Sequence, residues 1–245
     1  MPAIAVLLTN NDPSDFAKRY VNDGEKVANI LRPLRPDWMY QVLAAKDGVL
    51  PASVHDFDAY VITGSPASVN DDALPWLPGL FSFIQDAYAA RRAMVGLCFG
   101  HQAIAKALGG QVARNLSGWG LGAGQTHWHS PAPWMVPGRA LTRLMAAHNE
   151  QVTQMPPGAR CLGSSAVCPV GAMQLGEHIF TTQFHPEMTR PFMDELLDFL
   201  QDKLDAATLA RARASLQDPI DADVFAIWMV RFFEHTWAQP DGSTP

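Results

Sequence analysis

A cysteine set between two glycines at the end of an apolar run constrains this chain more than any other feature. Residues 95–102 read VGLCFGHQ, so Cys98 follows an apolar stretch and precedes one of helical character. This pattern predicts a nucleophile elbow, the sharp strand-to-helix turn that exposes a reactive side chain above an α/β sheet. Gly96 and Gly100 let the backbone pass close to itself. A helix N-terminus beside the thiol favours the reactive thiolate.

A second segment, QFHPE at residues 183–187, carries the other groups that such a cysteine needs. A strand ending here would present His185 at its carboxyl edge, and Pro186 would end the strand pairing. Glu187 can reach back to the imidazole and select the tautomer whose free nitrogen faces the thiol. Cys98, His185 and Glu187 would then be the nucleophile, base and orienting carboxylate of a thiol acyl transferase.

Together these motifs resemble the class I glutamine amidotransferases, which have a cysteine elbow followed by Gly-His-Gln and a later His-Pro-Glu. The resemblance runs from the first strand to the helix after Glu187, and both γ-glutamyl peptidase-like and GMP synthase amidotransferase-domain-like members are similar. It implies Cys98 as nucleophile, His185 as general base and acid, and Glu187 as the orienting residue. It also implies attack on a γ-glutamyl amide, a thioester intermediate, release of an amine or ammonia, and hydrolysis to glutamate.

Residues 60–66, YVITGSP, stand where the family has Gly-Gly-Pro after a strand. By this resemblance the backbone N–H groups of Ser65 and Phe99 form the oxyanion hole, and Gly64 belongs to the substrate-binding turn. The family usually has a second glycine at the position of Ser65, so the serine adds a Cβ at a crowded point. Two such donors could lower the barrier by about 3 kcal/mol each.

Residues 147–152, AHNEQV, resemble the substrate-pocket loop of the family. The resemblance implies that this loop, with His148 and Asn149, holds the α-amino and α-carboxylate ends of a glutamyl group together with the side chain of Gln102. His148 could contact the substrate or only brace the loop, and the sequence leaves both roles open.

Other histidines and cysteines have less specific interpretations. His101 is expected to be a hydrogen-bonded residue at the helix start. His127 and His129 alternate on one face of a strand and could bind a metal, but no third ligand is spaced to join them, so no metal is predicted. Cys161 and Cys168 lack C-x-x-C spacing and are interpreted as structural thiols.

Composition is that of a cytoplasmic enzyme. With 245 residues and 48% hydrophobic content, the chain can bury a substantial core. Three cysteines cannot form a disulfide framework, and we see neither a leader nor a membrane-spanning run. The formal charge of −6 and scattered basic residues give no electrostatic footprint for nucleic acid. The expected partners are a small-molecule substrate, a possible synthase subunit and a possible second copy in a homodimer.

The hydrophobic pattern predicts an α/β fold of three layers, flavodoxin-like, with a mainly parallel central sheet flanked by helices and a C-terminal helical extension. The short strands between residues 111 and 184 should extend the sheet in a mixed or antiparallel way. Ligands of open α/β sheets bind at the carboxyl ends of the strands, where Ser65, Cys98 and His185 would fall. The predicted strands are residues 3–8, 39–44, 60–63 and 93–97, and the predicted helices are residues 25–31, 77–92 and 101–108.

After Glu187 the pattern changes to three helices, residues 192–204, 206–216 and 222–237. We predict an amidotransferase-like domain over residues 1–204 and a helical extension over residues 205–245 packed on it. The last helix carries an apolar stripe that could dock on the domain or contact another chain. Residues 239–245 are expected to be frayed.

Three functions fit these observations. The chain could be a free-standing hydrolase of γ-glutamyl amides or peptides, a glutaminase subunit that supplies ammonia to a separate synthase, or a non-catalytic binding protein with the same fold. No ATP-binding signature or other cofactor motif is present. The complete triad argues against the binding protein. Residues 9–20 and 117–124 are expected to be loops at the active-site edge of the sheet, with Trp119 as a movable wall. Residues 47–51 and 117–119 resemble free-standing members more than synthase-coupled ones, which favours the free-standing enzyme.

Overall fold

A central β-sheet organises the computed structural model, which describes residues 1–239. Most of its strands are short and buried, as expected where helices cover both faces. The strands found within these residues are β1 Ala3–Leu7, β2 Met39–Leu43, β3 Ala59–Ile62, β4 Ala93–Leu97, β5 Gln111–Arg114, β6 Gly120–Trp128, β7 Leu141–His148, β8 Glu150–Gln154, β9 Ala159–Ser164, β10 Ala172–Leu175 and β11 Ile179–Thr182.

The sheet has a parallel half and an antiparallel half, as predicted. Its strand order within the described residues is β2-β1-β3-β4-β11-β10-β9-β6-β7. The pairs from β2 to β11 are parallel, and those from β11 to β7 are antiparallel. Strands β5 and β8 form a separate antiparallel pair. The carboxyl ends of the parallel strands meet at one edge, and this edge carries the candidate site.

Helices cover the sheet on both sides. One face packs residues such as Val61 against Val27 and Phe225, and the other packs Ile62 against Ile84 and Ile104. These two layers confirm the predicted three-layer α/β architecture. The α-helices of the described residues are α1 Asp15–Lys18, α2 Asp23–Leu31, α3 Leu77–Ala89, α4 Phe99–Ala107, α5 Arg190–Leu200, α6 Ala206–Ser215 and α7 Ala222–Ala238.

The apolar stripe of α7 packs on the domain, the first of its two predicted roles. Phe225, Trp228 and Phe232 are fully buried, and Trp228 Nε1 donates to the Pro137 carbonyl at 3.0 Å. With α2, this helix forms one of the two helical layers. The division of the chain at residue 204 stays a prediction. Of the segment predicted to be frayed, residues 240–245 lie outside the described part of the chain.

Two predicted loops contain regular structure. The loop over residues 9–20 includes α1, which Ser14 caps by accepting the Ala17 N–H at 3.2 Å. Residues 120–124 were expected to be loop but belong to β6, which pairs with β7. Glycine-rich sequence predicts a turn, yet here three glycines allow close packing within a strand.

In the part of the chain that the structure describes, we find no helix with the length and apolar character needed to span a bilayer.

Candidate active site

Cys98 lies at a tight elbow between β4 and α4. Its φ of 49° falls in the left-handed region that non-glycine residues rarely adopt, and it is the N-cap of α4. The Cys98 N–H donates to the Thr182 carbonyl at 2.8 Å, which ties the elbow to the end of β11. Such strain persists only where the surrounding structure enforces it. The elbow therefore holds the thiol at the N-terminus of a helix, as predicted.

Close backbone packing explains the glycines of this motif. A Cβ on Gly96 would lie 2.7 Å from the Gly100 carbonyl oxygen, and one on Gly100 would lie 2.3 Å from the Ile62 oxygen. Both contacts are to backbone atoms, which cannot rotate away. Gly64 meets a different neighbour, because its Cβ would lie 2.5 Å from Cε1 of His185. The three glycines thus bring β3, β4 and the imidazole together.

His185 and Glu187 form a buried pair beside the thiol. His185 Nδ1 donates to Glu187 Oε1 at 2.7 Å, which leaves Nε2 available to the neighbouring Cys98. His185 lies three residues beyond the end of β11 and is held there by its N–H, which donates to the Met145 carbonyl at 2.8 Å. The structure therefore brings together the three side chains that the sequence predicted.

The charges at this pair favour a protonated imidazole. Burial lowers the pKa of His185, but the carboxylate of Glu187, followed by the neighbouring Cys98, outweighs it and raises the pKa well above 6.5. A positively charged imidazole beside a cysteine is a setting that favours the reactive form of a thiol.

Of the two residues predicted to form an oxyanion hole, Phe99 directly follows Cys98 and Ser65 lines the same cavity as Cys98. Phe99 is the first residue of α4, so its N–H has no acceptor within the helix. Ser65 lines the same cavity as Cys98, and its Oγ caps the following turn by accepting the Ala67 N–H at 3.2 Å. The Ser65 side chain therefore stabilises the turn. The turn accommodates the Cβ of Ser65, which the family resemblance led us to expect at a crowded point.

Gln183 is a residue of the site that sequence reasoning passed over. Its Nε2 donates to Cys98 Sγ at 3.4 Å, and its Oε1 accepts from Gln102 Nε2 at 3.1 Å. Gln102 Nε2 also donates to the Glu150 carbonyl at 2.9 Å. This chain of amides connects the thiol to the predicted substrate loop. Gln183 is the first residue of the QFHPE motif. A polar side chain two positions before the predicted base is the sequence signal that could have identified it.

The predicted substrate loop places His148 and Asn149 at the cavity. His148 Nδ1 donates to the Glu150 carbonyl at 3.0 Å, so the histidine braces its own loop. Burial is the main cause that lowers the pKa of His148 to about 4, and its Nε2 has no hydrogen-bond partner within the described residues. Glu150, also missed, lines the cavity with a carboxylate that accepts the Ser68 hydroxyl at 2.8 Å.

One cavity of about 930 Å³ contains most of these residues. Glu187 lies behind His185 and Phe99 lies within the start of α4, so neither lines it. Trp119, predicted as a wall of the pocket, does line it. The predicted site residues at the cavity are Gly64, Ser65, Cys98, Gln102, His148, Asn149 and His185.

The remaining histidines and cysteines lie elsewhere. His101 is fully buried and its Nδ1 shares a 2.7 Å hydrogen bond with Thr181 Oγ1. His127 and His129 are exposed, and residues 1–239 contain no cluster of three or more ligating side chains that could hold a metal. Cys161 and Cys168 are free thiols, and burial raises the pKa of Cys168 to about 12.

Fold and site geometry define an α/β protein with a cysteine at a strand-to-helix elbow. A sequence profile described as glutamine amidotransferase class-I matches residues 38–200, and the chain belongs to this family. A solved glutamine amidotransferase from Methylobacillus flagellatus superposes with a TM-score of 0.72 at 24% identity, over 100% of this chain and 97% of that chain. This likeness confirms the fold.

Two relatives indicate the range of the family. Gamma-glutamyl peptidase 3 of Arabidopsis thaliana is 30% identical over 160 residues, which are 62% of this chain and 64% of the relative. The glutamine-hydrolyzing GMP synthase of Pyrobaculum aerophilum is 30% identical over 179 residues, which are 69% of this chain but 32% of the relative. The chain thus spans slightly less than two thirds of the first and about a third of the second.

Proposed function

We propose that this chain is a hydrolase that cleaves a γ-glutamyl amide through a thioester on Cys98. The observation that carries the proposal is a buried imidazole that lines the same cavity as Cys98 and is held at Nδ1 by Glu187 at 2.7 Å. A structural cysteine needs none of these partners. Membership of the glutamine amidotransferase family and the similarity to a γ-glutamyl peptidase support the same chemistry.

In this reaction the thiolate of Cys98 attacks the amide carbon of the side chain of the substrate. The N–H groups of Ser65 and Phe99 stabilise the oxyanion, and each such donor can contribute about 3 kcal/mol. The imidazolium of His185 gives its proton to the leaving amine, which departs as the thioester forms. His185 then takes a proton from water, which attacks the thioester and releases glutamate and the thiol.

The glutamyl end of the substrate would lie against the amide chain and the loop after β7. Gln102 uses its Nε2 within the protein, so its Oε1 is available to accept from the α-ammonium group. The Glu150 carboxylate supplies a negative charge to the same cavity. Because the α-ammonium group carries a positive charge, these two acceptors suit that group of the substrate better than they suit its α-carboxylate.

Labelling and replacement of Cys98 test this proposal. A glutamine-like chloroketone should modify Cys98 alone, and Cys98→Ser should lower turnover at least about 10⁴-fold because the nucleophile acts with the rest of the triad. His185→Ala should be about as severe and Glu187→Ala milder. Cys161→Ser is the matched control and should retain full activity. Modification of Cys161 or Cys168, with activity kept in Cys98→Ser, would refute the assignment.

A second candidate is a glutaminase subunit that supplies ammonia to a separate synthase, which the similarity to a domain-sized part of GMP synthase favours. The two candidates differ in what the purified chain does alone. A free-standing hydrolase should turn over a γ-glutamyl amide without a partner, whereas a partner-dependent subunit should show little activity. A chain that binds glutamine but neither cleaves it nor reacts with the chloroketone at Cys98 would instead be a binding protein.

A further inference from the structure

The cavity above Cys98 continues well beyond the space that glutamine needs. Its volume of about 930 Å³ is near the top of the roughly 300–1,000 Å³ range of pockets for drug-sized ligands. The lining forms two groups, which we call the two ends of the cavity: Gln102 and Glu150, linked to Cys98 through Gln183, and residues of α1, α2 and α5. Hydrolysis of glutamine releases ammonia, which requires no pocket. The second end is therefore space for a larger leaving amine.

Resting on the proposed function of the Cys98 site, we propose that the leaving amine carries an aromatic or other bulky apolar group without a charge at its far end. The binding surface is an aromatic chamber, defined by Phe16, Tyr20, Phe192 and Phe199, which all line the cavity. The substrate class is then the γ-glutamyl amides of arylalkyl or similar apolar amines.

The aromatic chamber presents a continuous apolar wall. The ring of Phe16 stacks on Phe199 with centroids 5.0 Å apart, and it packs against Phe192 at 5.4 Å. Tyr20 meets Phe192 edge-on at 4.9 Å. Phe199 is nevertheless 40% exposed, so a ligand ring could cover apolar surface that now contacts solvent.

The position that a cation would take on this wall is already occupied. Lys26 Nζ lies 3.8 Å from the ring centroid of Phe192 and 5.7 Å from that of Tyr20. Its charge is matched by Asp23, whose carboxylate accepts from Lys26 at 2.7 Å and from Asn10 at 2.6 Å. A ligand ammonium group would compete with Lys26 for both the ring and the carboxylate. The chamber therefore disfavours amides of diamines.

The other cations around the chamber are also paired or lie over one of its rings, and Arg19, over Phe16 and Tyr20, pairs with Glu195 at 3.0 Å. Lys18 pairs with Asp15 at 2.9 Å, and Lys46 pairs with Asp47 at 2.9 Å. Lys203 Nζ lies 5.4 Å from the ring centroid of Phe199. The interior thus offers apolar contact, which suits an uncharged group.

A comparison of four substrates tests the inference on the purified full-length chain. The substrates are glutamine and the γ-glutamyl amides of methylamine, phenethylamine and 1,4-diaminobutane, and the quantity measured is kcat/KM. The phenethylamide should exceed the methylamide at least about tenfold, or about 1.4 kcal/mol, and the diaminobutane amide should be the slowest of the three amides. Equal values for phenethylamide and methylamide would overturn the inference and leave the proposed function intact. Cleavage of none of the four would overturn the proposed function and the inference with it.

Replacement of Phe199 separates the chamber from the catalytic groups. Phe199→Ala should lower kcat/KM for the phenethylamide about tenfold and leave the methylamide within about twofold, because the methylamide does not reach the ring. Tyr88→Ala is a matched control, since Tyr88 is 36% exposed and lies on α3 outside the cavity. An equal loss for both amides in Phe199→Ala, or no loss for either, would contradict the assignment.

Discussion

The two ends of the cavity are built by opposite means. Around Cys98, at what we call the crowded end, backbone atoms at Gly96 and Gly100 and the His185 ring at Gly64 leave no space for even a Cβ, and His185 is 3% exposed. The aromatic chamber is instead built from side chains, one of which, Phe199, is 40% exposed. Substitutions at the end fixed by backbone contacts would move the reactive atoms. Substitutions at the end built from side chains could alter which ligand binds and leave the reactive atoms in place.

Acid should lower the stability of the fold through two buried histidines, which is the largest effect that we predict. Burial lowers the pKa of His101 to about 3 and that of His148 to about 4. Unfolded histidines bind a proton near pH 6.5, so between pH 6.5 and 4 the unfolded chain binds more protons and the folded state loses stability as the pH falls. His148 alone should cost about 3 kcal/mol by pH 4. Urea unfolding at several pH values measures this loss.

Two histidine variants, a test and a control, show whether His148 causes the acid effect. His148→Gln should reduce the slope of stability against pH by about one proton. His127→Gln should leave that slope unchanged, since His127 is exposed. A slope that is the same in all three proteins would show that groups other than His148 cause the acid loss.

A methyl group at Gly64 tests how tightly the crowded end holds its imidazole. Its Cβ would lie 2.5 Å from His185 Cε1, so Gly64→Ala must displace the ring from the thiol. Misplacement by about 1 Å can cost about 10²-fold in rate, and we expect at least this loss in kcat. Gly138→Ala is the matched control, because a Cβ there meets no atom within 4 Å. Full activity in Gly64→Ala would mean that the imidazole tolerates displacement.

The difference between the two ends also explains what the sequence could predict. Backbone crowding requires glycine at fixed spacing, so VGLCFGHQ and QFHPE predicted the elbow and the meeting of Cys98, His185 and Glu187. Apolar runs such as β1 predicted a mainly parallel sheet, whereas the order of the strands within it was not predicted. The chamber depends on contacts between residues that are far apart in the sequence, such as Phe16 and Phe192. No local pattern signals such a pair, so the chamber was not predicted.

Gln183 and Glu150 were missed for a related reason. Each stands inside a motif that was recognised, but its partners lie far away in the chain, at Cys98 and Ser68. The helix α1 was missed because its four residues are too short to show a period. The role of Ser65 in the oxyanion hole and those of Gln102 and Asn149 in substrate binding stay predictions.

A buried ion pair should contribute more to stability in the chamber than its exposed counterpart nearby. Lys26 and Asp23 pair at spacing i, i+3 with side chains 13% and 4% exposed, whereas Lys18 and Asp15 have the same spacing with 67% and 99% exposed. Lys26→Met should cost about 2 kcal/mol, because the Asp23 carboxylate keeps only Asn10 as a side-chain partner. Lys18→Met should change the urea midpoint by no measurable amount. Equal effects of the two variants would contradict this account.

The smallest expected effect is that of replacing Gln183, whose side-chain amide donates to Cys98. Gln183 is fully buried, and its Nε2 is 3.4 Å from Cys98 Sγ. A hydrogen bond to a charged acceptor contributes about 1.5–3 kcal/mol, so Gln183→Leu should lower kcat/KM at least about tenfold. The variant removes a donor and leaves His185 and Glu187 in place, which predicts a changed pH profile in addition to a lower rate.

The pH profile decides whether Gln183 acts on the thiol or only fills space. Without its N–H the thiolate loses a donor, so the rate of iodoacetamide alkylation of Cys98 should reach its plateau at a higher pH in Gln183→Leu than in the natural chain. Gln85→Leu is the control, since Gln85 is exposed and donates to the Ala107 carbonyl at 2.9 Å, away from the cavity. A lower rate with an unmoved profile would indicate that Gln183 acts through packing alone. In that case the crowded end would depend on backbone contacts and the His185–Glu187 pair, without help from the amide chain.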